Sequence, residues 1–134
     1  MKELFISTLF ASIIFLIIDI VWLSYSVKAF YRPNLGSLLN DQPVIWAAVL
    51  FYLVYVSGLA IVVLSPSLQQ NSISHAFWNG LVFGCVAYGT YNLTNMATVK
   101  NWSSSVVFVD MIWGSILTGG SAAMSIYLTK KILS

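Results

Sequence analysis

The chain has 134 residues, of which 59% are hydrophobic and only 7% charged. A soluble domain carries about 25% charged residues, so this composition excludes a water-soluble enzyme or module and puts the chain in a bilayer. A net charge of +2 excludes a nucleic-acid footprint, and the single cysteine, Cys85, excludes an internal disulfide or a CxxC redox couple.

Crossing the hydrocarbon as a helix takes about 20 mostly apolar residues. The first such run is 4–27. Lys2 ahead of it resembles a signal-peptide start, but the run is too long for an h-region and no small-residue cleavage pattern follows, so it reads as a retained helix. In the connection 28–43, Tyr31, Leu35, Leu38 and Leu39 share one helical face and Pro33 suits a first turn, which predicts a short interfacial helix. Asp41 ahead of Pro43 reads as the N-cap region of a second span over 44–65. An uncharged polar loop from Pro66 to Ser72 follows.

The third span, 76–98, contains Tyr88-Gly-Thr-Tyr-Asn-Leu-Thr-Asn95, too polar to face lipid unaided and therefore expected against bundle neighbours. A tight hairpin with Trp102 as interfacial anchor leads to the fourth span, 104–128. Gly80, Gly84 and Ala87 in the third span, and Gly114, Thr118, Ser121 or Ala122, and Ser125 in the fourth, form small-residue stripes that let helices approach closely. The expected fold is all-α: a polytopic membrane four-helix bundle forming one transmembrane domain over 1–134, with the short interfacial helix in its first loop.

Two aspartates interrupt these runs, and each is followed three residues later by tryptophan: Asp19–Trp22 and Asp110–Trp113. A carboxylate in hydrocarbon costs a few kcal/mol and is rarely there without a partner or a task. Counting rise from the loop-one ends of their spans puts Asp19 roughly 12 Å deep and Asp110 roughly 9 Å deep. Asn92 and Asn95 of the third span and Tyr52 of the second fall in the same slab, so all four helices bring a polar group to one membrane half. Tyr88, Asn92 and Asn95 share a helical face. Lys28, Arg32 and Lys100 lie at the mouth above, where long basic chains can reach down. Interhelical hydrogen bonding alone accounts for the amides; the carboxylates point to a site made of Asp19, Asp110, Asn92, Asn95, Tyr52, Tyr88, Trp22 and Trp113. The doubled D-x-x-W is not read as a repeat, because the two helices run antiparallel and an in-plane axis would put the aspartates at opposite depths.

Asp19-Ile-Val-Trp-Leu23, Phe30-Tyr31-Arg32 with Leu35-Gly36, Phe51-Tyr52-Leu-Val-Tyr55, Ala87 through Asn95 with Ala97-Thr98, and Val109-Asp-Met-Ile-Trp-Gly114 occur in this order along nearly the whole chain. Together they resemble the small bacterial membrane proteins of the domain of unknown function 2177 family. The resemblance implies a four-helix protein of the bacterial inner membrane and brings no established activity. The family often carries Asp-Leu-Thr-Asn where this chain has Asn92-Leu-Thr-Asn95, so a mechanism needing three carboxylates is not expected here.

His75 is the only histidine and reads as surface capping, so no metal site is expected. No cofactor motif or activated nucleophile is present either, and no catalytic residue is assigned. The leading expectation is a binding or transport site for a small cation, proton or polar solute. The alternatives are an accessory or assembly subunit of a membrane complex and, behind it, a lipid-modifying enzyme. Its surroundings are lipid, with a homo-oligomeric or other membrane-protein partner left open and no nucleic acid. Three basic residues on each side (Lys2, Lys130 and Lys131 against Lys28, Arg32 and Lys100) leave the positive-inside rule silent on orientation.

Overall fold

A computed structural model describes residues 1–134. Four helices follow one another: α1, Lys2–Leu38; α2, Ile45–Gln69; α3, Ile73–Thr98; and α4, Ser104–Leu133. The helices α1, α2 and α4 are long and apolar enough to cross a membrane. The more polar α3 has 26 residues, or roughly 39 Å at 1.5 Å per residue, enough for a hydrocarbon layer of about 30 Å. The polarity of α3 is absorbed locally. Thr90 donates to the Val86 carbonyl at 2.6 Å, Thr94 to the Thr90 carbonyl, and Thr98 to the Thr94 carbonyl at 2.8 Å, so their hydroxyls are satisfied within the helix.

Two prolines sit inside helices, and the backbone accommodates both in the same way. Val27–Tyr31 is a π turn in which the Arg32 N–H reaches back to the Val27 carbonyl, two residues ahead of Pro33. Ala60–Leu64 is a second π turn, with the Ser65 N–H on the Ala60 carbonyl, two residues ahead of Pro66. A proline ring clashes with the carbonyl four residues back and donates no hydrogen bond; a widened turn at that point makes room for it. The interfacial helix expected around Pro33 is therefore present, as Arg32–Leu35 and a 3₁₀ turn over Gly36–Leu38, but it continues α1 instead of standing apart. Pro66 likewise fails to end α2, and the loop expected from Pro66 onward shrinks to a short turn around Asn71, whose φ of 52° is one asparagine tolerates. Asp41 is not a cap: Val44 holds that position and α2 starts without a side-chain cap. Ser72 and Ser103 cap α3 and α4, accepting from the N–H groups of His75 and Val106.

The most extensive contact is between α3 and α4, and the small-residue stripes make it. A Cβ on Gly80 would lie 2.9 Å from the Gly119 Cα, one on Gly119 2.8 Å from the Phe77 carbonyl oxygen, and one on Gly84 would collide with the Gly114 carbonyl. The helix α1 lies against α4, and the lower half of α2 closes the bundle through Leu59, Val63 and Leu64 against Ala11, Ala122 and Ile126. His75 Nδ1 meets the buried Ser67 Oγ at 2.7 Å, tying α3 to α2 at this end. Both termini lie at this same end: Met1 and Leu4 share a hollow with Ser65 and Leu68, and Lys130 Nζ donates to the Asn71 carbonyl at 3.2 Å. At the other end α2 leaves the bundle. Every residue from 41 to 51 is exposed, Trp46 at 72% and Ile45 at 65% among them.

Candidate functional site

The polar groups of α1, α3 and α4 meet in the membrane half where α2 has parted from the bundle. Asp110 on α4 is held at both oxygens: Tyr31 donates its hydroxyl to Oδ1 at 2.6 Å, and Asn92 of α3 donates Nδ2 to Oδ2 at 2.7 Å. Asn92 is fully buried and donates also to the Tyr88 carbonyl at 2.9 Å, while its Oδ1 has no partner. This amide cannot be turned over, because its oxygen would then face the Asp110 carboxylate. Asp19 on α1 accepts one hydrogen bond, from Trp113 Nε1 of α4 at 3.2 Å. No hydrogen bond joins the two carboxylates, and neither is within ion-pair distance of a basic group.

The two D-x-x-W motifs interlock. The Trp22 and Trp113 rings stack with centroids 4.4 Å apart and planes 17° from parallel. Trp113 donates across to Asp19 of α1, and Trp22 donates to the Tyr31 hydroxyl of its own helix at 3.3 Å, which in turn donates a hydrogen bond to Asp110 of α4. The antiparallel run that argues against a membrane-wide repeat is what permits this stacking. Ascending α1 carries Trp22 above Asp19, whereas descending α4 carries Trp113 below Asp110, and the two rings meet where the helices pass.

Tyr31 is the residue that reading the sequence by spans misses. It belongs to the connection there, on an amphipathic face, but the π turn prolongs α1 and a helical side chain leans back toward its own N-terminus. That lean takes the Tyr31 ring down from the mouth to Asp110. A proline two residues ahead inside a continuing apolar face is the signal that marks it. Other expected members are not brought in. Tyr52 donates to the Ser12 carbonyl of α1 and binds helix to helix. Asn95 is half-buried beside Tyr91, with no hydrogen bond to either acid. Lys28 and Lys100 are exposed away from the cavity, and only Arg32 of the three basic residues lines it.

Asp19 and Asp110 open onto one cavity of about 620 Å³. Its walls are the stacked indoles with Tyr31, Tyr88 and Tyr91; its rim carries Arg32, Asn40, Asp41 and Trp102. Three acids thus line it against one base. The Tyr88 ring lies where a Cβ of Gly114 would be, so that glycine makes the room in which Tyr88 reaches the cavity. No group of three or more histidine, cysteine or acidic side chains comes together as a metal site.

Helices of spanning length around a shared acidic and aromatic centre define a polytopic α-helical membrane protein. The chain belongs to the family described as predicted membrane protein (DUF2177), which it matches over residues 4–127. No curated protein and no solved structure matches it.

Proposed function

We propose that the cavity is a binding site for a small cation, a proton or a polar solute, serving its transport across the membrane. One observation carries this reading: two aspartates at membrane depth face a common space with no basic partner of their own. Intramembrane acids ordinarily pair with a fixed cation, so an unpaired couple leaves the counter-charge to be supplied by what binds. The two acids have separate tasks. Asp110 has both oxygens engaged and shapes the wall, while Asp19 keeps an oxygen free for a ligand. The indole faces and tyrosine rings add cation–π attraction for a positive group.

The test is binding and counterflow of methylammonium with purified protein in liposomes. Wild-type protein is expected to take it up, and Asp19→Asn to lose uptake by tenfold or more while unfolding at an unchanged temperature. Equal uptake by wild type, Asp19→Asn and empty liposomes sinks the proposal. An accessory-subunit role is favoured by a different observation, the all-round exposure of α2 over residues 45–51, which suits a helix of another membrane protein. Co-purification of one stoichiometric partner, lost on placing bulky polar residues at Val49 and Leu53, supports that reading over the first.

A further inference from the structure

A second cavity, of about 450 Å³, adjoins the first. It is a groove between α2 and α3 walled by Phe51, Ala87, Thr90 and Thr94, and it shares Tyr88, Tyr91 and Asp110 with the acidic cavity. Its outer side is open to the surroundings of the bundle, because Phe51 stands on the part of α2 that has left the bundle and is itself 52% exposed. The groove is apolar despite its threonines: Thr90 and Thr94 spend their hydroxyls on their own helix, so methyl groups face the space. An acidic aromatic chamber and a largely apolar groove therefore lie on either side of a shared wall of Tyr88, Tyr91 and Asp110.

The geometry points to an amphiphilic amine as the ligand, an ammonium head on a single apolar chain that enters from the bilayer through the groove. This rests on the proposed cation-binding role of the acidic cavity and names the substrate class for it. The head stands between Asp19 and Asp110 against the aromatic rings, and the chain lies along Thr90 and Thr94 toward lipid. A phospholipid with an ammonium head fits poorly: its phosphate would come in beside two carboxylates, and the only base lining the chamber is Arg32 at the far rim.

The experiment measures binding of radiolabelled dodecyltrimethylammonium and of methylammonium to the protein in phosphatidylcholine nanodiscs, with empty discs subtracted. Thr94→Trp and, separately, Thr90→Trp fill the groove from exposed positions that contribute nothing to the acidic chamber. Either is expected to weaken dodecyltrimethylammonium tenfold or more and to leave methylammonium unchanged, which also reports that the variant is folded. Asp19→Asn is expected to lose both ligands. If methylammonium binds and both groove variants take the long-chain ligand as wild type does, side entry is overturned while the cavity reading stands. If neither ligand binds wild type above empty discs, the cavity reading falls as well. Displacement of the long-chain ligand when phosphatidylethanolamine replaces part of the phosphatidylcholine overturns the single-chain assignment.

Discussion

Asp19 and Asp110 look alike in the sequence and differ in what they hold. Removing the Asp110 carboxylate strands two donors, the Tyr31 hydroxyl and the Asn92 amide, in a place where water is scarce. A buried donor without an acceptor costs about 1–3 kcal/mol, so Asp110→Leu is expected to destabilise the protein by at least that much. Asp19→Leu strands only the Trp113 indole N–H and takes a carboxylate out of hydrocarbon, two effects that oppose each other. Its change should be under about 1 kcal/mol. Thermal unfolding of the two variants in the same detergent checks the asymmetry; equal losses would contradict it. Tyr31→Phe is expected to cost about 1–2 kcal/mol, because it takes the acceptor from Trp22 and a donor from Asp110 together. Depth along a helix is linear in residue number, which is why Asp19, Asp110 and Asn92 are legible as one slab from sequence alone. Contact depends also on helix rotation and on neighbours, which residue number does not carry. Tyr52 and Asn95 accordingly sit near the expected level, outside the hydrogen bonds that hold the acids, while Tyr31 comes in from a segment that counts as loop.

Among the elements, the α3–α4 pair is set by glycine. At Gly84 any side chain meets the Gly114 carbonyl and Thr118, whereas at Gly120 a Cβ meets nothing within 4 Å. Gly84→Val is expected to destabilise by about 3 kcal/mol or more, through overpacking against backbone that cannot yield. Gly120→Ala, inside the same helix with open space for its Cβ, should instead be stabilising by up to about 1 kcal/mol. Chemical unfolding of the two variants in mixed micelles separates them, and a tolerant Gly84 would mean that the helices are not in this register. The apolar runs and small-residue stripes announce four helices and one tight pair, because spanning length and close approach are local demands on composition. The helix ends are less legible. Pro33 reads as the first turn of a separate helix and Pro66 as the start of a loop, yet both are carried through by a π turn that makes room for the ring. The same turns displace by one residue the face that each helix shows beyond them.

Across the whole molecule, the three helices that carry the polar centre are joined to one another there, and α2 is joined to them mainly at the end where both chain termini lie. Single cysteines placed at Lys2 and Lys131 in a Cys85-free background are expected to react with an impermeant maleimide from the same side of sealed vesicles. One at Asn34 should react only from the other. Labelling of Lys2 and Lys131 positions from opposite sides, in a population of one orientation, would refute the topology.

The paired indoles also make the protein its own optical instrument. Two tryptophans 4.4 Å apart and nearly parallel are expected to share their ultraviolet excitation and to give a coupled circular-dichroism band that isolated tryptophans lack. Trp46 and Trp78 are exposed to the surroundings and Trp102 pairs with Tyr91, so none of the other three contributes to that band. Trp22→Phe and Trp113→Phe should each abolish it, while Trp46→Phe should leave it intact. Because the stacked rings form a wall of the acidic chamber, binding there as proposed is expected to shift their separation or tilt and with it the size of the band. The chamber's occupancy can then be followed in an unlabelled bilayer, with nothing attached to the protein or to the guest.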